Sequence, residues 1–168
     1  IINGASGFMT EEEAYLVLNA VPDLGPVRTQ KITGYFGSAQ DVLKASLSEL
    51  SSIESIGNKI AGNICSWHKY FDLKKECALI KKYNVKILTI NQPEYPVLLK
   101  HIYDPPVVLY VRGSIIPQDR YALAIVGSRR ASYYGISTAR RIAQQVGSRG
   151  LTVISGLARG VDTASHKG

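Results

Sequence analysis

Two apolar runs, each leading into a glycine-bearing loop and then a helix-forming stretch, constrain this chain more than anything else in it. Tyr121-Ala-Leu-Ala-Ile-Val126 is continuously apolar and leads into Gly127-Ser-Arg-Arg-Ala-Ser-Tyr-Tyr-Gly135. A helix is predicted from about Tyr134 to Arg149, with Ile136, Ala139, Ile142, Ala143 and Val146 inward and Gly150 as its stop. Leu151-Thr-Val-Ile154 is the next strand, followed by Ser155-Gly-Leu-Ala-Arg-Gly-Val-Asp162 and the start of another helix. An unbroken apolar run is the pattern of a strand buried on both faces. The order strand, helix, strand, helix predicts a parallel sheet with right-handed crossovers.

That arrangement puts both loops at the C-terminal ends of parallel strands, the edge where α/β sheets bind ligands. Each loop aims backbone N–H groups and the positive end of a helix dipole at one place. Ser128 and Ser155 are expected to add hydroxyl donors, and Arg129 a planar fork suited to phosphate. Gly156 and Gly160 allow close approach of a ligand. The expected ligand is an anion, a phosphate in the first place.

Several phosphate chemistries are disfavoured by what the loops lack. Gly127 is followed by Ser128, Arg129 and Arg130, which is neither the dinucleotide fingerprint nor the P-loop. No acidic residue is placed to hold a ribose, so NAD and ATP are disfavoured, and no Gly-x-Ser-x-Gly nucleophile elbow is present. Asp162 and His166, four apart on one predicted helix, invite an acid–base reading. A helix surface with a local hydrogen bond is the plainer one.

Composition agrees with an anionic partner without naming it. There are 20 Lys+Arg against 13 Asp+Glu, a net charge of +7, although a solvated basic surface gives the same numbers. Apolar residues make up 45% and charged residues 20%, a globular balance. No apolar run reaches the roughly 18 residues that cross a bilayer. Cys65 and Cys77 are expected in one helix, roughly 18 Å apart and beyond disulfide reach, and unpaired thiols fit a reducing cytoplasm. His68, His101 and His166 show no ligand spacing with them, so no metal is expected. Met9, directly before Thr10-Glu-Glu-Glu13, reads as a native start after a leader of eight residues.

The first half carries an internal repeat. After a predicted helix from about Glu11 to Ala20, Val21-Pro-Asp-Leu-Gly-Pro-Val-Arg-Thr-Gln-Lys-Ile32 aligns without gaps on Ile53-Glu-Ser-Ile-Gly-Asn-Lys-Ile-Ala-Gly-Asn-Ile64. Each copy reads as a tight turn opening a helix. Gly25 and Gly57 supply unusual backbone angles, Pro26 suits a first helical turn, and Asn58 suits a cap. The pattern resembles the helix-hairpin-helix unit, which implies backbone N–H groups offered to a nucleic-acid phosphate, although many such pairs only pack helices. Arg28, Lys31 and Lys59 are the candidate secondary contacts. One long helix is expected from about Asn58 to Tyr83, with Trp67 in the core and a lysine-rich outer face. Strands are expected at Val85–Ile90 and Val107–Val111, and the boundary is placed so that residues 9–84 and 85–168 form two domains.

Ile125-Val-Gly-Ser-Arg129, Tyr134-Gly135, Val153-Ile-Ser-Gly-Leu-Ala-Arg-Gly-Val-Asp162 and Ala164-Ser-His166 closely resemble the DprA/Smf DNA-processing proteins of bacteria. Tyr95-Pro96, Asp104-Pro105-Pro106 and Leu109-Tyr110…Gly113 resemble that family's lead-in. The resemblance implies an α/β protein: an all-α SAM-like or helix-hairpin-helix domain, then an extended Rossmann-like domain of which only the first part is present. It also implies a cytoplasmic mediator, not an enzyme and without a cofactor, that protects single-stranded DNA in natural transformation and loads the RecA recombinase on it. Such proteins act as homodimers. By similarity, Gly127, Ser128, Arg129, Ser155 and Gly156 grip the DNA backbone, with Arg130, Arg159 and Gly160 beside them. The rival expectation is a phosphoribohydrolase-like enzyme on a related fold; it needs a carboxylate in the pocket, and the two motifs offer only Asp162.

Overall fold

The computed structural model describes residues 9–168; the leader assigned to residues 1–8 lies outside the described residues. The chain is mixed α and β, rich in helix, and separates into two compact units that part between Ser114 and Ile115.

In the first unit, α1 (Glu11–Ala20) opens with the capping box that Thr10 and Glu13 predicted: Glu13 N donates to Thr10 Oγ1 at 3.2 Å and Thr10 N to Glu13 Oε2 at 2.8 Å. Ala14, Tyr15, Leu16, Val17 and Leu18 are all buried, so α1 is apolar nearly all round and forms the centre of the unit. Four helices follow: α2 (Pro26–Phe36), α3 (Ala39–Lys44), α4 (Leu47–Ser51) and α5 (Gly57–Cys65). The Glu11 carboxylate accepts the N–H groups of Ala39 at 2.7 Å and Gln40 at 3.1 Å, tying α1 to the first turn of α3.

The repeat read from the sequence is present as matched structure. Val21 and Leu24 in the first copy, and Ile53 and Ile56 in the second, are buried under their turns. The turns are closed by matched bonds, Leu24 N to Val21 O and Ile56 N to Ile53 O. Asp23 (φ 65°) and Ser55 (φ 78°), again 32 apart, both take the left-handed conformation. That conformation was expected of Gly25, which is extended at φ −78° and ψ 170°; Gly57 does adopt it, at φ 54°. Pro26 is the first residue of α2 as expected. Asn58 is no cap, because α5 begins one residue earlier and Ile56 holds the cap position without a side-chain bond.

The copies also hold each other reciprocally. Lys31 Nζ of the first copy reaches Glu54 Oε2 of the second at 2.8 Å. Asn63, the residue matching Lys31, donates to the carbonyl of Pro22, the residue matching Glu54, at 3.1 Å. Such exchange of partners is the mark of pseudo-two-fold packing.

The long helix expected over residues 58–83 is broken. α5 stops at Cys65, a 3-10 turn covers Trp67–Lys69, and α6 spans Leu73–Lys82. Ser66 Oγ donates to the Gly62 carbonyl at 2.7 Å, ending α5, and Asp72 Oδ1 takes the Lys75 N–H at 3.0 Å, starting α6. Cys65 and Cys77 therefore lie on different helices; both are free. Burial and the Glu13 carboxylate beside it push the Cys77 thiol up, away from the reactive thiolate.

β1 (Lys86–Thr89) and β2 (Val108–Val111), joined through the short α7 (Val97–Lys100), pair antiparallel with Lys86 opposite Val111 and Thr89 opposite Val108. Ile87 of β1, Val108 of β2 and Val107 directly before it belong to the same buried cluster as α1. The compact division thus falls 30 residues later than the boundary at 84/85, because the hairpin's apolar face closes the helical core.

The second unit contains β3 (Ala122–Ala124), α8 (Tyr133–Gly147), β4 (Thr152–Ile154) and α9 (Val161–Lys167). β3 and β4 are parallel, with Leu123 opposite Val153, as the strand-helix-strand pattern predicted. The expected two-sided burial of the first strand is not observed: all three residues of β3 are exposed, Leu123 by 44%. Among the described residues this sheet has two strands, too few to cover both faces of either. Asp119 accepts from Ile116 N and Thr152 Oγ1, which holds its carboxyl below the usual range and pins the start of β4.

Candidate nucleic-acid interface

The two loops singled out in the sequence leave β3 and β4 at the same end, since the strands are parallel and in register, and Ile125 N donates to Ile154 O at 2.9 Å just where the loops begin. They then pack against each other more closely than side chains would permit. A Cβ on Gly160 would overlap the Ser128 carbonyl oxygen, and Gly160 has φ 81°. A Cβ on Gly127 would lie 2.7 Å from Val161 Cγ2. The Val161 N–H donates back to Ser128 O at 3.3 Å, so the loops form one continuous surface. Gly127, Ser128, Arg129, Arg130, Ser155, Gly156, Arg159 and Gly160 are thereby brought together by these contacts and by sequence adjacency.

The two serines differ in chemistry, contrary to the expectation of two free hydroxyl donors. Ser128 Oγ accepts the Arg130 N–H at 3.0 Å, which leaves its own proton for a ligand. Ser155 Oγ donates its proton to Ile125 O at 2.7 Å, so it braces the loop and has no proton left to offer. Arg129, Arg130 and Arg159 are exposed, and none is in an ion pair among the described residues. α8 begins beside the first loop with Ser132 as its cap, Ser132 Oγ accepting from Gly135 N at 3.2 Å. A fifteen-residue helix places its full positive end there.

Asp162 does not lie on a helix surface. It is buried, its Oδ2 accepts the Ala158 N–H at 3.4 Å, and a Cβ on Gly156 would stand 2.8 Å from that same oxygen. Its carboxylate is turned inward under the loop as a brace, while His166, four residues on, is exposed. The bracing part of Asp162 has no signal in the sequence beyond its spacing from Gly156 and Ala158, and Leu157, at φ 55° with 83% of its surface exposed, carries none of the residue-type signals of a left-handed position.

The three cations proposed in the helical unit are engaged internally. Lys31 pairs with Glu54, Lys59 Nζ lies 2.7 Å from Asp23 Oδ2, and Arg28 Nη1 donates to the Asp23 carbonyl at 3.1 Å. The Lys59 ammonium holds the Asp23 carboxyl below its usual range, and Lys31 does the same to Glu54.

Comparison with known proteins agrees with the motifs. Residues 86–168 match the family described as DNA recombination-mediator protein A. The chain is 29% identical over 161 residues to Protein Smf of Synechocystis, covering 94% of this chain and 40% of that protein. It is 32% identical over 99 residues to DNA processing protein DprA of Bacillus subtilis, covering 58% and 33%. The structure of DNA processing protein A from Streptococcus pneumoniae superposes with a TM-score of 0.64 at 24% identity, over 95% of this chain and 53% of that one. The chain therefore spans well under half the length of these curated relatives. With their two loop motifs, residues 86–168 belong to the DprA/Smf family of DNA-processing proteins, and the chain is similar along most of its length to a protein of that name.

Proposed function

We propose that this chain binds single-stranded DNA by its phosphates at the two packed loops, as part of a recombination mediator. The observation that carries the reading is the concentration there of three exposed arginines without ion-pair partners among the described residues, one free serine hydroxyl and the start of α8, on two loops that Gly127, Gly156 and Gly160 let pack closely together. Contacts of this kind position a backbone without reading bases, so the binding has little sequence preference and falls steeply with salt. The family further supports a cytoplasmic homodimer that protects incoming single strands in transformation and loads RecA on them, acting as a mediator without a cofactor. We assign the repeat to a SAM-like or helix-hairpin-helix domain over residues 9–84 and residues 85–168 to the start of a Rossmann-like domain; the family match beginning at residue 86 supports that division. A phosphoribohydrolase reading has less support, because Asp162 is buried and spent on the loop backbone.

The test is fluorescence anisotropy of a labelled oligothymidine against duplex DNA and a nucleoside monophosphate, across a salt series, with the chain and its Arg129→Ala variant. Tight single-strand binding that weakens with salt and is markedly weaker in the variant is expected. Binding unaltered by the substitution would move the site elsewhere, and hydrolysis of the monophosphate would give the site to an enzyme.

A further inference from the structure

Among the described residues of the second unit, the four most exposed large apolar side chains are Tyr133 at 87%, Leu157 at 83%, Tyr134 at 75% and Val126 at 74%. The next, Tyr121, is at 56%. The four are not scattered: they lie at the exit of β3, at the apex of the second loop and in the first turn of α8. These are the segments that carry Arg129, Arg130 and Arg159. Exposed apolar groups gathered on a cationic rim mark a binding surface rather than an ordinary one.

Leu157 adds a second, independent sign. A leucine in the left-handed conformation is strained, and its neighbours fix it there: Ser155 is bonded to Ile125 O, Ala158 N to Asp162 Oδ2, and Gly160 is packed on Ser128. The loop is braced on both sides of a residue whose side chain stands in solvent.

We propose that Tyr133, Tyr134 and Leu157 form a base-contacting rim, the tyrosines stacking on nucleobases and Leu157 packing on a base face or edge, while the arginines hold the phosphates between them. The inference rests on the phosphate reading of the loops and adds to it the other half of the strand. A polyanion with unpaired flat bases matches both halves of the surface, cationic and apolar. Duplex DNA, with its bases stacked inside, matches only the cationic half. Stacking tolerates any base, which keeps the binding without sequence preference.

The experiment compares an oligothymidine with an abasic strand of the same length and charge, by anisotropy at fixed salt, using the chain, a Tyr133→Ala/Tyr134→Ala variant, the corresponding double Phe variant, Leu157→Ala and Arg129→Ala. The chain is expected to prefer the base-bearing strand by at least about fivefold. That preference falls towards one in the double Ala variant and survives in the double Phe variant, with abasic binding unchanged in both; Leu157→Ala reduces it in part. All three side chains are exposed, so folding is not at stake, and unchanged circular dichroism checks it. A chain without preference for bases, or a preference that persists in the double Ala variant, overturns the rim while leaving the phosphate reading intact. Arg129→Ala weakens both strands alike; if it weakens neither, the phosphate reading fails, and the rim fails with it.

Discussion

The glycines of the two loops show what single residues contribute here. Gly160 combines a left-handed backbone with a backbone oxygen where its Cβ would stand. Neither problem has a cheap escape, because the obstacle is the Ser128 carbonyl and not the end of a flexible side chain. Gly160→Ala should lower the unfolding free energy by about 2 kcal/mol or more, read from urea denaturation. It should also weaken single-strand binding, since it parts the loops that present Arg129 and Arg159. A variant of wild-type stability would mean that the loops can separate freely. The residue types were legible in the sequence: Gly127, Ser128, Arg129 and Gly160 were singled out from it and do come together. The direction of each hydroxyl was not. Ser128 and Ser155 look alike in the sequence, and only the positions of Arg130 N and Ile125 O make one a remaining donor and the other a brace.

Among the elements, the repeat was legible because its turns carry matched residue types, while the break after Cys65 was not. Apolar spacing at Ile60, Ile64 and Trp67 continues through the break and mimics one helix. The signals against it, Ser66 and Asp72, are single polar residues that act only through local bonds. The two copies are fastened by Lys31–Glu54 and Lys59–Asp23 as well as by Asn63. Both carboxyls are held below their ordinary values of 3.8 for Asp23 and 4.5 for Glu54, first by the hydrogen bond from the lysine and then by its charge. A depressed folded value stabilises the fold above the unfolded value, and the gain is lost as pH falls through the folded one. The urea midpoint of the chain should therefore drop on acidification below about pH 4, less so in high salt, which screens these exposed pairs. Reversing one charge, Asp23→Lys, should lower the midpoint at neutral pH, and the swap Asp23→Lys/Lys59→Asp should restore part of it. A swap no better than the single change would show that the pair does not fasten the copies.

At the scale of the whole molecule, the net charge of +7 says less than where unpaired cations remain. Parallel pairing of β3 and β4 was legible from strand and helix order, but the exposure of β3 was not, because an apolar run reports what a sheet can bury and not how many neighbours it has. Charge behaves in the same way: the sequence offers Arg28, Lys31 and Lys59 as secondary contacts beside Arg129, Arg130 and Arg159, and residue type alone does not separate the two sets. The fold divides them. The first three are held by Asp23, Glu54 and the Asp23 carbonyl, and a phosphate would have to displace those partners before gaining anything. The last three have no ion-pair partner among the described residues to displace. The salt dependence of single-strand binding measures the difference, because each cation that meets a phosphate releases counterions and adds to the slope of log affinity against log salt. Arg129→Ala/Arg159→Ala should flatten that slope by about two, roughly one for each contact removed. Arg28→Ala/Lys31→Ala/Lys59→Ala should leave the slope as it was while lowering the urea midpoint. The opposite pattern, a slope flattened only by the triple change, would place the phosphate contacts on the paired turns of the helical unit and leave the glycine loops to another ligand.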